Sequence, residues 1–354
     1  MATTSLVVSV VGTLITALGF IDANMPEGPD QTKIQYVIAN DGANGALSNA
    51  GGDLPDVRLF DETGEFLGAK YDPGKCEEGY TTCTTEVNTQ EAVTYTLFTG
   101  NDDAICIAWT GIAWAGGQKK YGFHPGNWAY SCDQYTDLNS GSWYYAGQAV
   151  PGIENVDDVK CAWLDKDGNQ PTTAFQVHWP EFDGDKAPIE SLDYYCGERP
   201  PVEFYTSDDP NTIWRWTQSR RRDNSQLLDN STAIEVPEAP ERESKTHPAS
   251  ARRKQRLGNR FENDPRVIKS HYPKHKATEL CDPTKNAAGQ SFVSYAEKKF
   301  CYMPSKTIYP FCETVEDGPC WSDEDNRVIV QGNNKLSEPV PDLSHISNPI
   351  VWGS

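Results

Sequence analysis

The chain has 354 residues, ten cysteines and a formal net charge of −20. That length suits two ordinary domains or one domain with appendages. So acidic a balance repels DNA, RNA and anionic membrane surfaces and argues against a nucleic-acid partner. Almost all of the negative charge lies between Met25 and Tyr205, whereas acids and bases nearly balance from Thr206 onward, which marks two stretches of different kind.

The first segment is an uncharged apolar run from Leu6 to Phe20. It is short for a bilayer span and suits the apolar region of a secretory leader, with small residues at Ala17, Gly19 and Ala23 for cleavage. The run predicts a signal peptide over residues 1–23 and an exported, extracellular protein. No later stretch reaches spanning length, and the tail from Pro349 lacks a lipid-anchor signal, so no stable membrane insertion is expected once the leader is removed.

Residues 24–205 read as an acidic, β-rich, disulfide-bonded domain. Short apolar and β-branched bursts recur at Ile34–Ile38, Val57–Phe60, Val93–Phe98, Ile105–Trp109, Ser142–Tyr145, Cys161–Leu164 and Ala174–Trp179. Turn formers separate them at Asp41-Gly42, Thr63-Gly64, Pro73-Gly74 and Pro125-Gly126. The spacing predicts a mainly β fold, an antiparallel sandwich or barrel. Asp165 to Gln170 reads as a hairpin turn.

Residues 206–270 read as a disordered basic linker, since Thr217 to Glu262 is rich in Ser, Asn, Pro, Glu and Arg and poor in aromatics. It carries the one N-glycosylation acceptor, Asn230 in Asn230-Ser231-Thr232, between two basic clusters. Arg221 and Arg222 of one cluster, and Arg252 and Arg253 of the other, offer sites to a processing protease. The competing reading is a plain solvated linker. Residues 271–354 then read as a small cysteine-rich module with a polar tail.

The cysteines fall into two even groups. Cys76, Cys83, Cys106, Cys132, Cys161 and Cys196 lie in the acidic domain, and Cys281, Cys301, Cys312 and Cys320 lie near the end. In an exported chain even groups predict disulfides, with the connectivity open. A Cys76–Cys83 pair is attractive because a short loop closes easily. The close pairs typical of a structural zinc site are absent from the sequence.

Two blocks resemble cysteine-rich secreted proteins of filamentous fungi. The first runs through Ile105-Cys106-Ile107-Ala108-Trp109, Lys120-Tyr121-Gly122, Asn127-Trp128-Ala129, Ser142-Trp143-Tyr144-Tyr145 and Cys161-Ala162-Trp163-Leu164 to Thr173–Phe182. The second is Gly289–Ser294, Glu297, Phe300-Cys301-Tyr302-Met303, Lys306 and Tyr309-Pro310-Phe311-Cys312. Those proteins are largely uncharacterised, so the resemblance implies secretion and disulfides and brings no catalytic residue.

No nucleophile elbow, metalloprotease helix, P-loop or dinucleotide fingerprint occurs in the sequence, and no cofactor is expected. Trp109, Trp163 and Trp179 sit in strand-like runs and read as core. Trp128 and the Trp143, Tyr144, Tyr145 cluster lie among Gly, Asn and Ser and read as an exposed aromatic surface for a glycan or protein partner. His124 reads as a loop residue facing solvent or ligand, and His178 as a half-buried strand residue. Glu181, Asp183 and Asp185 are candidate carboxylates for hydrolysis or, in an acidic loop, for calcium. Three readings follow: a secreted, non-catalytic, effector-like binding protein; a carboxylate-based secreted polysaccharide hydrolase; or a precursor cut in the linker into two modules.

Overall fold

The computed structural model of the protein describes residues 31–40, 50–117, 119–136, 140–153, 155–166, 171–182, 192–197, 200–206, 210, 212–214, 233–235, 266–332 and 340–353. The leader, Asp183, Asp185, Arg221, Arg222, Asn230, Arg252 and Arg253 lie outside the described residues.

In chain order the body contains β1 (Thr32–Ile38), β2 (Gly52–Asp53), β3 (Asp56–Phe60), β4 (Phe66–Lys70), β5 (Lys75–Cys76), β6 (Cys83–Val87), β7 (Tyr95–Thr99) and β8 (Ile105–Ala113). It continues with β9 (Lys120–Phe123), β10 (Trp143–Tyr145), β11 (Lys160–Leu164), β12 (Ala174–His178) and β13 (Val202–Tyr205). Helices α1 (Pro125–Tyr135) and α2 (Leu192–Cys196) lie among them. All seven apolar bursts become strands, because β-branched and aromatic side chains pack well on a pleated surface.

One antiparallel sheet has the order β10-β11-β8-β1-β6, with β9 also on β8, and the second has the order β13-β12-β7-β3-β4. They face each other in a sandwich-like body. Tyr36 of β1 meets Phe98 of β7 at 6.2 Å between ring centroids, and Phe123 of β9 meets Phe175 of β12 at 5.8 Å. The sheets do not close into a barrel; β6 and β4 end them. Every position of β8 is buried, as α1 packs against it. Trp109, Trp163 and Trp179 are core, as their strand positions imply.

Two turn expectations are corrected. Pro125-Gly126 opens α1 instead of turning the chain; proline at the first helical position has no N–H to waste and a φ preset for the helix. The stretch from Asp165 does not join a hairpin, because β11 pairs with β10 and β8 while β12 pairs with β13 and β7. It carries the chain from one sheet to the other.

The span 206–270 is not all linker. It contains β14 (Thr212–Trp214) paired with β15 (Ala233–Glu235), and it ends in β16 (Arg266–Ser270). Ile213 is fully buried in a cluster with Phe60, Tyr95 and Leu97, which anchors β14 on the body. Beyond it come α3 (Ala277–Leu280), β17 (Phe292–Ser294), β18 (Lys299–Tyr302), β19 (Thr307–Pro310), β20 (Gly318–Ser322), β21 (Arg327–Gln331) and β22 (Asn348–Trp352). The module's sheet has the order β19-β18-β17-β16-β22, with β16 parallel to both neighbours, and β20 and β21 pair separately.

All ten cysteines are paired within their own groups. The bonds are Cys76–Cys83, Cys106–Cys161, Cys132–Cys196, Cys281–Cys301 and Cys312–Cys320. The expected short-loop pair is among them.

Candidate functional site

The aromatic surface read from the sequence does not exist. Trp128 is 2% exposed and Trp143, Tyr144 and Tyr145 no more than that. Trp128 lies on α1 with its ring edge-on to Tyr195 at 5.3 Å and against Phe182 at the same separation. Its neighbourhood of small residues serves close packing.

Trp143, Tyr144 and Tyr145 form β10, and their contact partner is the chain's own C-terminal module. The Trp143 backbone bridges Ala287, accepting from the Ala288 amide at 3.1 Å. Tyr144 donates its hydroxyl to the Gln290 carbonyl at 2.8 Å. The Tyr145 ring stacks on His275 at 4.1 Å, while its hydroxyl donates to Glu279 Oε2 at 3.1 Å and accepts from the Lys276 amide at 2.9 Å. Body and module thus share one hydrophobic cluster.

Beneath this seam lies Lys160, whose ammonium faces the Tyr130 and Tyr145 rings at 4.7 and 5.5 Å. It donates to the Asp158 carbonyl at 3.3 Å. Burial lowers its pKa to about 8, opposed by the nearby Glu279 and Asp158 charges.

His124 is fully buried ahead of α1, with Nε2 donating to the Pro151 carbonyl at 2.8 Å. It faces neither solvent nor ligand, and burial lowers its pKa to about 4. His275, accepting or donating at Nδ1 with the Ser270 hydroxyl at 2.9 Å, is lowered to about 3 by burial and by Lys160. Both pKa values lie below the ordinary 6.5. The unfolded chain therefore takes up protons first as pH falls through 6.5, and stability present above that pH is lost toward the folded values. For His124 alone the loss is about 3 kcal/mol by pH 4. Urea denaturation between pH 7 and 4 should show it. His124→Gln, neutral and still able to donate to Pro151, should flatten the slope.

His178 lies between two carboxylates. Its Nε2 is 2.9 Å from Glu62 Oε2 and its Nδ1 is 4.0 Å from Glu181 Oε1, while Tyr194 donates to the other Glu181 oxygen. The Tyr95 ring covers the imidazole at 4.5 Å. Glu62 is exposed, whereas the His178 and Glu181 side chains are only 4% and 7% accessible. The arrangement ties the Glu62 loop to the end of β12. His124 and His178 have different partners: Pro151 for the first, and Glu62 with Glu181 for the second.

An open groove lies elsewhere, between β4 and β6. A groove of about 560 Å3 runs between these strands, lined by Gly68, Ala69 and Lys70 on one wall and Thr84, Glu86 and Asn88 on the other. Gln31 donates to Asn88 at 2.9 Å at its rim, and Lys33 pairs with Glu86 at 2.9 Å. A Cβ on Gly68 would stand 3.1 Å from Val87 Cγ1, so glycine lets the two edges approach there. Sequence reasoning passed over both walls. The alternating exposure of Cys83–Val87, a strand with one buried face, shows only in the folded protein.

Among the described residues no group of three or more His, Cys, Asp or Glu side chains could hold a metal ion. Among them, too, no helix is long and apolar enough to cross a membrane. What fold and site define is a class: a disulfide-rich, mainly β protein with a sandwich-like body and a docked C-terminal module. Comparison with family models, with curated proteins and with solved structures finds no match to this chain.

Proposed function

We propose that the protein is a secreted, extracellular, non-catalytic binding protein that takes an extended segment of a protein partner into the β4–β6 groove. One observation carries the reading: both sheets end on the same flank, where their edge strands β4 and β6 approach each other along an open groove. An edge strand offers a row of backbone donors and acceptors to an added strand, and strand addition is a general mode of peptide recognition. The predicted leader and the disulfides support export. A glycan platform has lost its basis, since the aromatics meant to form it are buried.

Selection of displayed random peptides on the purified protein tests this, followed by Ala69→Trp and Thr84→Trp together. These positions line the groove and are half-buried and exposed, so the indoles should fill it without disturbing the core. Binding of the selected peptides should fall at least tenfold with near-ultraviolet circular dichroism unchanged. Equal binding by the double variant would move the site elsewhere.

The hydrolase reading keeps one supporting observation, the Glu62–His178–Glu181 arrangement. Hydrolysis of a polysaccharide by the wild type, abolished in Glu181→Gln, would put it first.

A further inference from the structure

We infer that the C-terminal module is a non-covalent partner of the body, so that a chain severed between Glu235 and Arg266 remains one folded particle. None of the five disulfides joins the two. Three lie between Cys76 and Cys196, and two between Cys281 and Cys320. Each side is therefore cross-linked on its own, and docking requires little ordering of either surface.

The seam itself is closely fitted and crossed by several hydrogen bonds. Trp163 Nε1 donates to the Ala288 carbonyl at 2.9 Å. Asp133 Oδ2 accepts from both Trp143 Nε1 at 2.8 Å and the Asn286 amide at 3.0 Å, and Lys285 Nζ donates to the Asp133 carbonyl at 2.7 Å. Gly289 lies flat on Tyr144, where an added Cβ would meet the ring at 2.5 Å. Such a buried, interdigitated contact with aromatic anchors has the character of a stable protein–protein interface.

This changes what processing at the basic clusters would produce. Cutting at Arg252–Arg253 would yield a two-chain protein, not two free modules. That cluster stands between β15 and β16, so a cut there leaves the whole seam intact.

A site for a rare-cutting protease inserted between Thr246 and His247 of the full chain tests the inference. After complete cleavage, non-reducing denaturing electrophoresis should show two bands. Size-exclusion chromatography with light scattering should show one 1:1 species. Separation into two peaks, or precipitation of either piece, would overturn it. Gly289→Val in the same cut chain should weaken association at least tenfold, with the disulfides confirmed by intact mass. Association as tight as in the parent would show that something other than this seam holds the pieces, and would overturn it too.

Discussion

Tyr145→Ala is expected to cost about 3–5 kcal/mol and to split one unfolding transition into two. The ring is 1% exposed and lies 4.1 Å from His275 and 5.6 Å from Phe292, both in the module. Its removal leaves a void where two subunits of structure meet, and voids are costly because the surroundings relax only in part. It also strips Glu279 and the Lys276 amide of a partner. Both residues are at least partly open to solvent, so this adds less than the roughly 1–3 kcal/mol lost with the partner of a fully buried polar group. Lys160 loses one of the two rings over its ammonium. Urea titration followed by both tryptophan fluorescence and far-ultraviolet circular dichroism would read the effect. Coincident, wild-type-like transitions would show that the ring contributes little to docking. Tyr145→Phe separates the hydroxyl from the ring and should cost only the smaller part.

Removal of Cys106–Cys161 by paired alanine substitution is the second large expectation, a loss of about 4 kcal/mol. This bond closes a loop with a sequence separation of 55, against 7 for Cys76–Cys83. Chain entropy of the unfolded state makes the longer loop the more stabilising, and the same reasoning gives about 2 kcal/mol for the short one. Position reinforces the ranking. Cys106 and Cys161 are both buried in the adjacent central strands β8 and β11. Cys83, in contrast, lies at the start of the edge strand β6 and is only partly buried. Thermal unfolding of the two double-alanine proteins should therefore rank them clearly. A short-loop variant as unstable as the long-loop one would contradict the entropic explanation.

The strands were legible because period-two alternation and β-branched runs survive tertiary context. Ile105–Ala113 and Thr32–Ile38 fall where the apolar bursts place them. The grouping of the disulfides was legible as well, from the cysteine-free stretch between Cys196 and Cys281. Helix α1 was hidden, since Pro-Gly is a turn signal and nothing in the local sequence says that a helix follows. Which strands share a sheet was hidden too, because a connection of few residues can close a hairpin or cross between sheets.

The aromatic cluster was misread for a physical reason. Small neighbours suggest a loop, yet they also permit tight packing of large rings. At Gly141 an added Cβ would meet the Phe204 ring at 2.4 Å. The Gly, Ser and Ala around Trp143–Tyr145 thus accommodate the core instead of exposing the rings. The groove had no sequence signal of its own, because it is made by two mixed polar strands that meet only in the folded body.

Amide hydrogen exchange on the intact, disulfide-bonded protein tests most directly whether β10 is spent on the chain's own module. Peptides covering Trp143–Ala146 and Asn286–Phe292 should be protected together and lose protection together in Gly289→Val. Rapid exchange of either segment in the wild type would show that the seam is open in solution and that the aromatic cluster is free for another partner.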